Sequence, residues 1–170
     1  MSIENVSPQM EKRFEVLDEM IEKGYIEPVK PLFDWLPTLC YFPNKTSNFD
    51  NAPPELKKQF NLMFSWYAFF LGICAFLQTR LQKDYIAYAS IIIIFLSLIP
   101  PTPFDYGFGL GIAFYFSQCF VFTRYYQYKT HGRCPTNRNT FSVICLSLIY
   151  SFPIIIAEFI IQSILYPEAN

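Results

Sequence analysis

The sequence predicts an all-α integral membrane helical bundle, with three or four apolar segments behind an N-terminal amphipathic helix. Three observations predict it. Only 16% of the 170 residues are charged, against roughly 25% in soluble domains. The charge is uneven: residues 1–60 carry 7 of the 13 Lys+Arg and 10 of the 14 Asp+Glu. The rest of the chain is dominated by runs of Ile, Leu, Phe and Tyr, and mean hydropathy over the whole sequence is +0.22. This pattern excludes a disordered chain, a collagen-like repeat, a disulfide scaffold and an ordinary soluble enzyme. A net charge of −1 leaves no electrostatic footprint for nucleic acid. The chain divides into a helix at 1–24, a proline-rich connector at 25–60 and a membrane helical region at 61–170.

The first element has marks at both ends. Ser7 can act as N-cap with Pro8 at the first helical position, where its missing N–H is harmless. Lys23 and Gly24 supply a cationic last turn and a left-handed stop. Met10, Phe14, Leu17 and Ile21 fall on one face. The expectation is a helix folded back on its own protein or on the bilayer surface, with a docking helix for a partner as the alternative.

The connector holds Pro28, Pro31, Pro37, Pro43, Pro53 and Pro54, with Leu32, Phe33, Trp35, Leu36, Leu39, Tyr41 and Phe42 between them. Proline denies it a long helix, and it is too apolar for a solvated linker. A stretch along the membrane interface, with Trp35 and Tyr41 at headgroup level, fits both facts.

Four apolar segments follow, at about Leu62–Leu77, Tyr85–Ile99, Gly107–Thr123 and Phe141–Tyr166. The last is long enough to cross a bilayer outright; the second ends at Pro100-Pro101 and, like the third, needs its flanks. The first has only sixteen strongly apolar residues, about 24 Å of a core roughly 30 Å thick.

Few residues suggest chemistry. Gly107 and Gly111 form a G-x-x-x-G pair, read either as a close helix approach in lipid or as a softened turn after Pro103. Glu158 lies inside the last segment with Gln162 one turn on. Ser147 and Ser151 fall near the same face, and Pro153 can kink the helix between these serines and Glu158. An intramembrane carboxylate is costly and usually faces protein or water. The expectation is a lone carboxylate, protonated or bonded to Gln118 on the third segment, with an ion-handling role as the alternative. His131 and Cys134 are too few for a metal site. No nucleophile–base arrangement is visible, so no catalytic residue, cofactor or metal is expected. The five cysteines, Cys40, Cys74, Cys119, Cys134 and Cys145, form no C-x-x-C pair and read as small buried hydrophobes. No secretory signal or transit peptide is visible. The Asn44-Lys45-Thr46 sequon is read as chance.

Phe64, Trp66, Ala68, Phe69, Phe70, Gly72 and Arg80 follow the outline of a first hydrophobic segment running F-x-W-x-A-F-F-x-G and then a basic pair. In this the chain resembles a family of small bacterial inner-membrane proteins of unknown function. The proline and tryptophan that often follow the family's glycine are replaced by Ile73–Ala75. Ala113–Lys129, with Arg124-Tyr125-Tyr126, is similar to the family's last apolar helix and its aromatic-basic exit. The resemblance covers about half the chain. It implies a location and no reaction.

Topology follows from the basic loops. Cytoplasmic loops carry the excess of Lys and Arg. Four crossings with the N-terminus inside leave both basic loops, Arg80–Lys83 and Arg124–Arg138, outside. Four crossings with the N-terminus outside force the charged first 60 residues across. Three crossings remove both conflicts. In that arrangement the first segment either re-enters, broken at Gly72, or lies in the interface, and the N-terminus and the Arg124–Arg138 loop are cytoplasmic. The C-terminus, with Glu168, is then outside. The expected function is a non-enzymatic accessory or interaction role in a bacterial inner membrane. The expected partners are the lipid bilayer and a further protein, with no nucleic acid. The other readings are an immunity-type protein against a membrane-active toxin and a membrane subunit of a larger, bacterial or organellar complex.

Overall fold

The computed structural model describes residues 3–33, 35, 39–100 and 105–167. The expectations at Leu36, Pro37, Pro101, Pro103 and Glu168 lie outside the described residues. All regular structure among the described residues is helical. In chain order the helices are α1 (Pro8–Glu22), α2 (Pro54–Asn61), α3 (Trp66–Leu71), α4 (Ile73–Gln78), α5 (Gln82–Ser97), α6 (Asp105–His131) and α7 (Thr140–Leu165).

The caps of α1 are those the sequence marks. The Ser7 hydroxyl accepts from the Met10 N–H at 3.3 Å, Pro8 opens the helix, and Gly24 turns the chain with φ +68°. Phe14, Leu17 and Met20 are fully buried, with Met10 and Ile21 packed beside them. The face lies on this protein's own α2 and α6. Met20 shares it, because residues 17, 20 and 21 bracket one stripe at 3.6 residues per turn.

The connector folds back on itself. Ile26 pairs with Lys45 and Pro31 with Cys40 in isolated antiparallel bridges. Its apolar residues are used internally: Val29, Leu39, Cys40 and Phe49 are buried. The Phe42 ring lies 4.9 Å from Phe60 and 5.0 Å from Phe122. The Cys40 N–H donates to the Thr123 hydroxyl at 2.9 Å, which ties the connector to α6. Trp35 remains 78% exposed. Together α1, the connector, α2 and the last turns of α6 form a headpiece with one continuous core.

The apolar stretch Leu62–Leu77 is not one helix. Gly72, at φ +47° and ψ −126°, separates α3 from α4. Such a conformation suits glycine, which has no Cβ to clash. The two helices pack on each other, and the Tyr67 hydroxyl bonds Gln78. Their contacts on α6 run from Arg124, which donates to the Thr79 carbonyl, to Phe114, whose ring is 6.0 Å from Phe69. That interval is ten residues of α6, about 15 Å of helix.

Three long helices connect the headpiece to an opposite end. α5 starts beside it, since the Arg80 Nε donates to the Thr136 carbonyl at 3.1 Å and the Arg138 N–H to the Gln78 carbonyl at 2.9 Å. α6 runs back toward the headpiece, and α7 leaves again after Asn139, whose side chain caps it through the Ser142 N–H. At the opposite end the Tyr166 hydroxyl donates to the Leu98 carbonyl at 2.7 Å.

One sequence boundary needs correction. The stretch from Arg124, read as the start of a basic loop, is helical through His131; the non-helical connection begins at Gly132 (φ +67°). The reason is burial. Arg124 and Tyr125 are held in the headpiece core, so this section gains packing by continuing the helix.

Candidate functional site

Two surfaces carry what the molecule can do: a buried polar lattice where the headpiece grips α6, and an exposed apolar surface on α5, α6 and α7.

The lattice begins with complementary spacings. Phe14 and Asp18 are one turn apart on α1; Tyr125 and Lys129 are one turn apart on α6. The rings of Phe14 and Tyr125 meet edge-on at 5.5 Å, and Tyr128 stacks on Phe14 at 5.6 Å. The Tyr125 hydroxyl donates to the Asp18 carboxylate at 2.5 Å, and Lys129 pairs with the same oxygen at 2.7 Å. Burial and the nearby carboxylate push the Tyr125 phenol above its ordinary range.

Arg124 is the centre of the lattice and is only 3% exposed. Its guanidinium donates to the Thr79 carbonyl (3.1 Å), the Gln127 side chain (2.7 Å) and the Asn5 carbonyl (3.0 Å). One side chain therefore pins the N-terminal segment, the end of α4 and α6 together. Asn5, at φ +61°, also donates to the Cys134 carbonyl at 3.2 Å. Burial pushes the Cys134 thiol up, and the charge of Arg124 opposes that shift.

The opposite surface is apolar and open. α7 is the helix among the described residues that is long and apolar enough to cross a membrane. It has 26 residues and a mean hydropathy of 2.3 over its most apolar stretch, none of which is buried. Phe141, Leu148, Phe152, Phe159 and Ile164 are each more than 60% exposed. α7 runs unbroken through Pro153. On α6 the first turns expose Phe108, Leu110 and Phe114.

The polar positions singled out in the sequence do not converge. Gly107 and Gly111 have no atom of the described residues within 4 Å of where a Cβ would stand, so the G-x-x-x-G pair makes no close helix approach among the described residues. Glu158 is half-buried in a cleft of about 200 Å³ between α5 and α7, beside Ser90 and Ser97. Its neighbour is α5 rather than Gln118, because α7 packs against α4 and α5. Gln118 and Gln162 are half-buried on different helices. His131 is exposed and its Nδ1 lies 3.0 Å from the Gln127 carbonyl. No cluster of metal-ligating side chains occurs among the described residues.

The residues that the sequence reading missed are Arg124, as a buried group, and the Asp18–Tyr125–Lys129 set. The available signal was the matching one-turn spacing on α1 and α6.

No protein-family model matches the chain, and neither does any curated protein or solved structure. The likeness of residues 60–83 to a small inner-membrane family therefore stays a resemblance.

Proposed function

We propose that the chain is a non-enzymatic integral membrane protein of accessory or interaction type. It sits in a bacterial inner membrane and presents its helical headpiece at the cytoplasmic face. The observation that carries this reading is the open apolar face of α7, whose most apolar stretch holds no fully buried residue although one side of the helix packs on α4 and α5. A soluble protein rarely leaves so long an apolar helix in water.

The rest of the geometry supports three crossings. α5, α6 up to about Phe122, and α7 run between the same two ends. The α3–α4 hairpin reaches about half of a core roughly 30 Å thick and returns. Irregular backbone at such depth is tolerated where protein covers it, and the hairpin leans on α6. Arg80, Lys83, Arg124, Lys129, Arg133 and Arg138 then share the headpiece side, which is the cytoplasmic side by the distribution of positive charge. The accessory role rests on the small size of the bundle. It rests also on a lattice whose polar groups are spent on joining headpiece to helix.

Alkaline extraction of membranes holding the full chain tests the first part. The protein is expected in the pellet, and release into the supernatant would contradict membrane integration. Purification in mild detergent tests the second part. A reproducible stoichiometric protein partner is expected, and a chain that runs alone under every mild condition would contradict the interaction role.

A further inference from the structure

A cavity of about 380 Å³ opens between the start of α1, the α3–α4 hairpin and α6. Its charged lining groups among the described residues are Arg13 and Arg124, with no carboxylate beside them. Arg124 is buried and spends three of its five N–H donors on protein oxygens. Arg13 is half-buried and has no hydrogen bond or ion pair with the described residues. Burial alone lowers its pKa, with no acid opposing the shift.

Two guanidiniums around one cavity without a counter-charge are expensive, because a buried charge needs a partner. The first turn of α1, with Ser7 and Gln9, also lines the cavity, and the positive end of a helix favours an anion there. Asn137 and Gln78 add neutral donors. The guanidinium fork matches the oxygens of a phosphate. At the mouth stands Trp66, 62% exposed, followed along α3 by exposed Phe70 and Leu71.

We infer that this cavity binds a phosphate group, with Arg13 and Arg124 as its counter-charges. The exposed aromatic edge of α3 favours a phosphate carried by an acidic phospholipid, with the acyl chains along Trp66 and Phe70. The cavity itself stands on the headpiece geometry; only the lipid as source rests on the membrane reading above.

The test uses the full chain in neutral detergent, titrated separately with phosphatidylglycerol, phosphatidylcholine and inorganic phosphate. Thermal stability and native mass spectrometry read the binding. Wild type is expected to gain stability and retain phosphatidylglycerol in preference to phosphatidylcholine. Arg13→Gln is expected to weaken this about tenfold, the loss of one charge-assisted contact. Lys12→Gln, on an exposed neighbour, is expected to change nothing. Each variant is compared with its own unliganded baseline, so a change in stability alone does not mimic the result. Stabilisation by phosphatidylglycerol and not by inorganic phosphate identifies a lipid site. Stabilisation by both identifies a site for the phosphate group as such. No response to either probe, or a phosphatidylglycerol response that survives unchanged in Arg13→Gln, overturns the proposal.

Discussion

The two halves of α6 are nearly alike in composition and opposite in environment. Phe108, Leu110 and Phe114 stand exposed, and the glycines between them have no atom of the described residues within 4 Å of where a Cβ would stand. From Phe116 to Tyr125 almost every residue is buried, including Ser117, Thr123 and Arg124. Both halves are aromatic-rich and both read as one apolar segment. What separates them is coverage. The second half meets α1, the connector and the α3–α4 hairpin; the first meets the hairpin at Phe114 and, among the described residues, none of the headpiece. An apolar run thus says that water must be excluded, and the covering partner decides whether protein or lipid excludes it.

The largest expected effect comes from uncovering the second half. Phe14 and Leu17 are both fully buried. Replacing both with Glu is expected to detach residues 1–24, since even Phe→Ala in a core costs about 3–5 kcal/mol. Limited proteolysis near Lys23 should accelerate sharply in the double variant. Unchanged cleavage would mean that the face is not buried.

Next comes Arg124→Met. It keeps volume but leaves the Thr79 and Asn5 carbonyls without their donor, at about 1–3 kcal/mol each. Thermal unfolding of the headpiece should shift down, while α7 should stay in the membrane fraction. A loss of α7 from that fraction would mean that membrane integration of α7 depends on the Arg124 lattice.

A smaller effect belongs to Asp18→Asn. The Lys129 ion pair is partly exposed, with side chains 47% and 33% accessible, and such pairs contribute about 0.2–1 kcal/mol. The phenol of Tyr125 supplies a pH signature. Its pKa is raised on folding, so its contribution is complete below the ordinary phenol range near 10 and is lost as pH rises above it. Tyr125→Phe should blunt the alkaline destabilisation of the headpiece; an identical alkaline profile would contradict a phenol that is buried beside Asp18.

The smallest effects are expected in the exposed half. Gly111→Ala fills open space and should raise helix stability by about 0.5–1 kcal/mol. A drop in abundance would reveal a close helix neighbour from another chain. Glu158→Gln should accumulate at least as well as wild type, because an uncharged side chain inserts more easily.

Much of the fold was legible because its signals are local. Ser7, Pro8 and Gly24 bound α1, and Gly72 breaks the first apolar stretch, through backbone rules that need no tertiary context. The connector's destination was not legible. Its proline and aromatic content is equally consistent with a membrane interface and with the protein core it forms on Thr123 and Phe122. A charge after an apolar run ordinarily ends it, so the sequence points to a loop at Arg124; here three acceptors from three segments hold it inside. Spacing along one chain does not encode the packing order of α5, α6 and α7; of the two expectations for Glu158, protonation or a bond to Gln118, the second does not match the cleft it shares with Ser90 and Ser97 of α5.

In the proposed three-crossing arrangement the headpiece and the end of α7 lie on opposite sides of one membrane. Paired topology reporters, one fused before Met1 and one after Asn170, test that arrangement. A cytoplasmic signal is expected at the first position and a periplasmic signal at the second. Signals from the same side at both positions would contradict it.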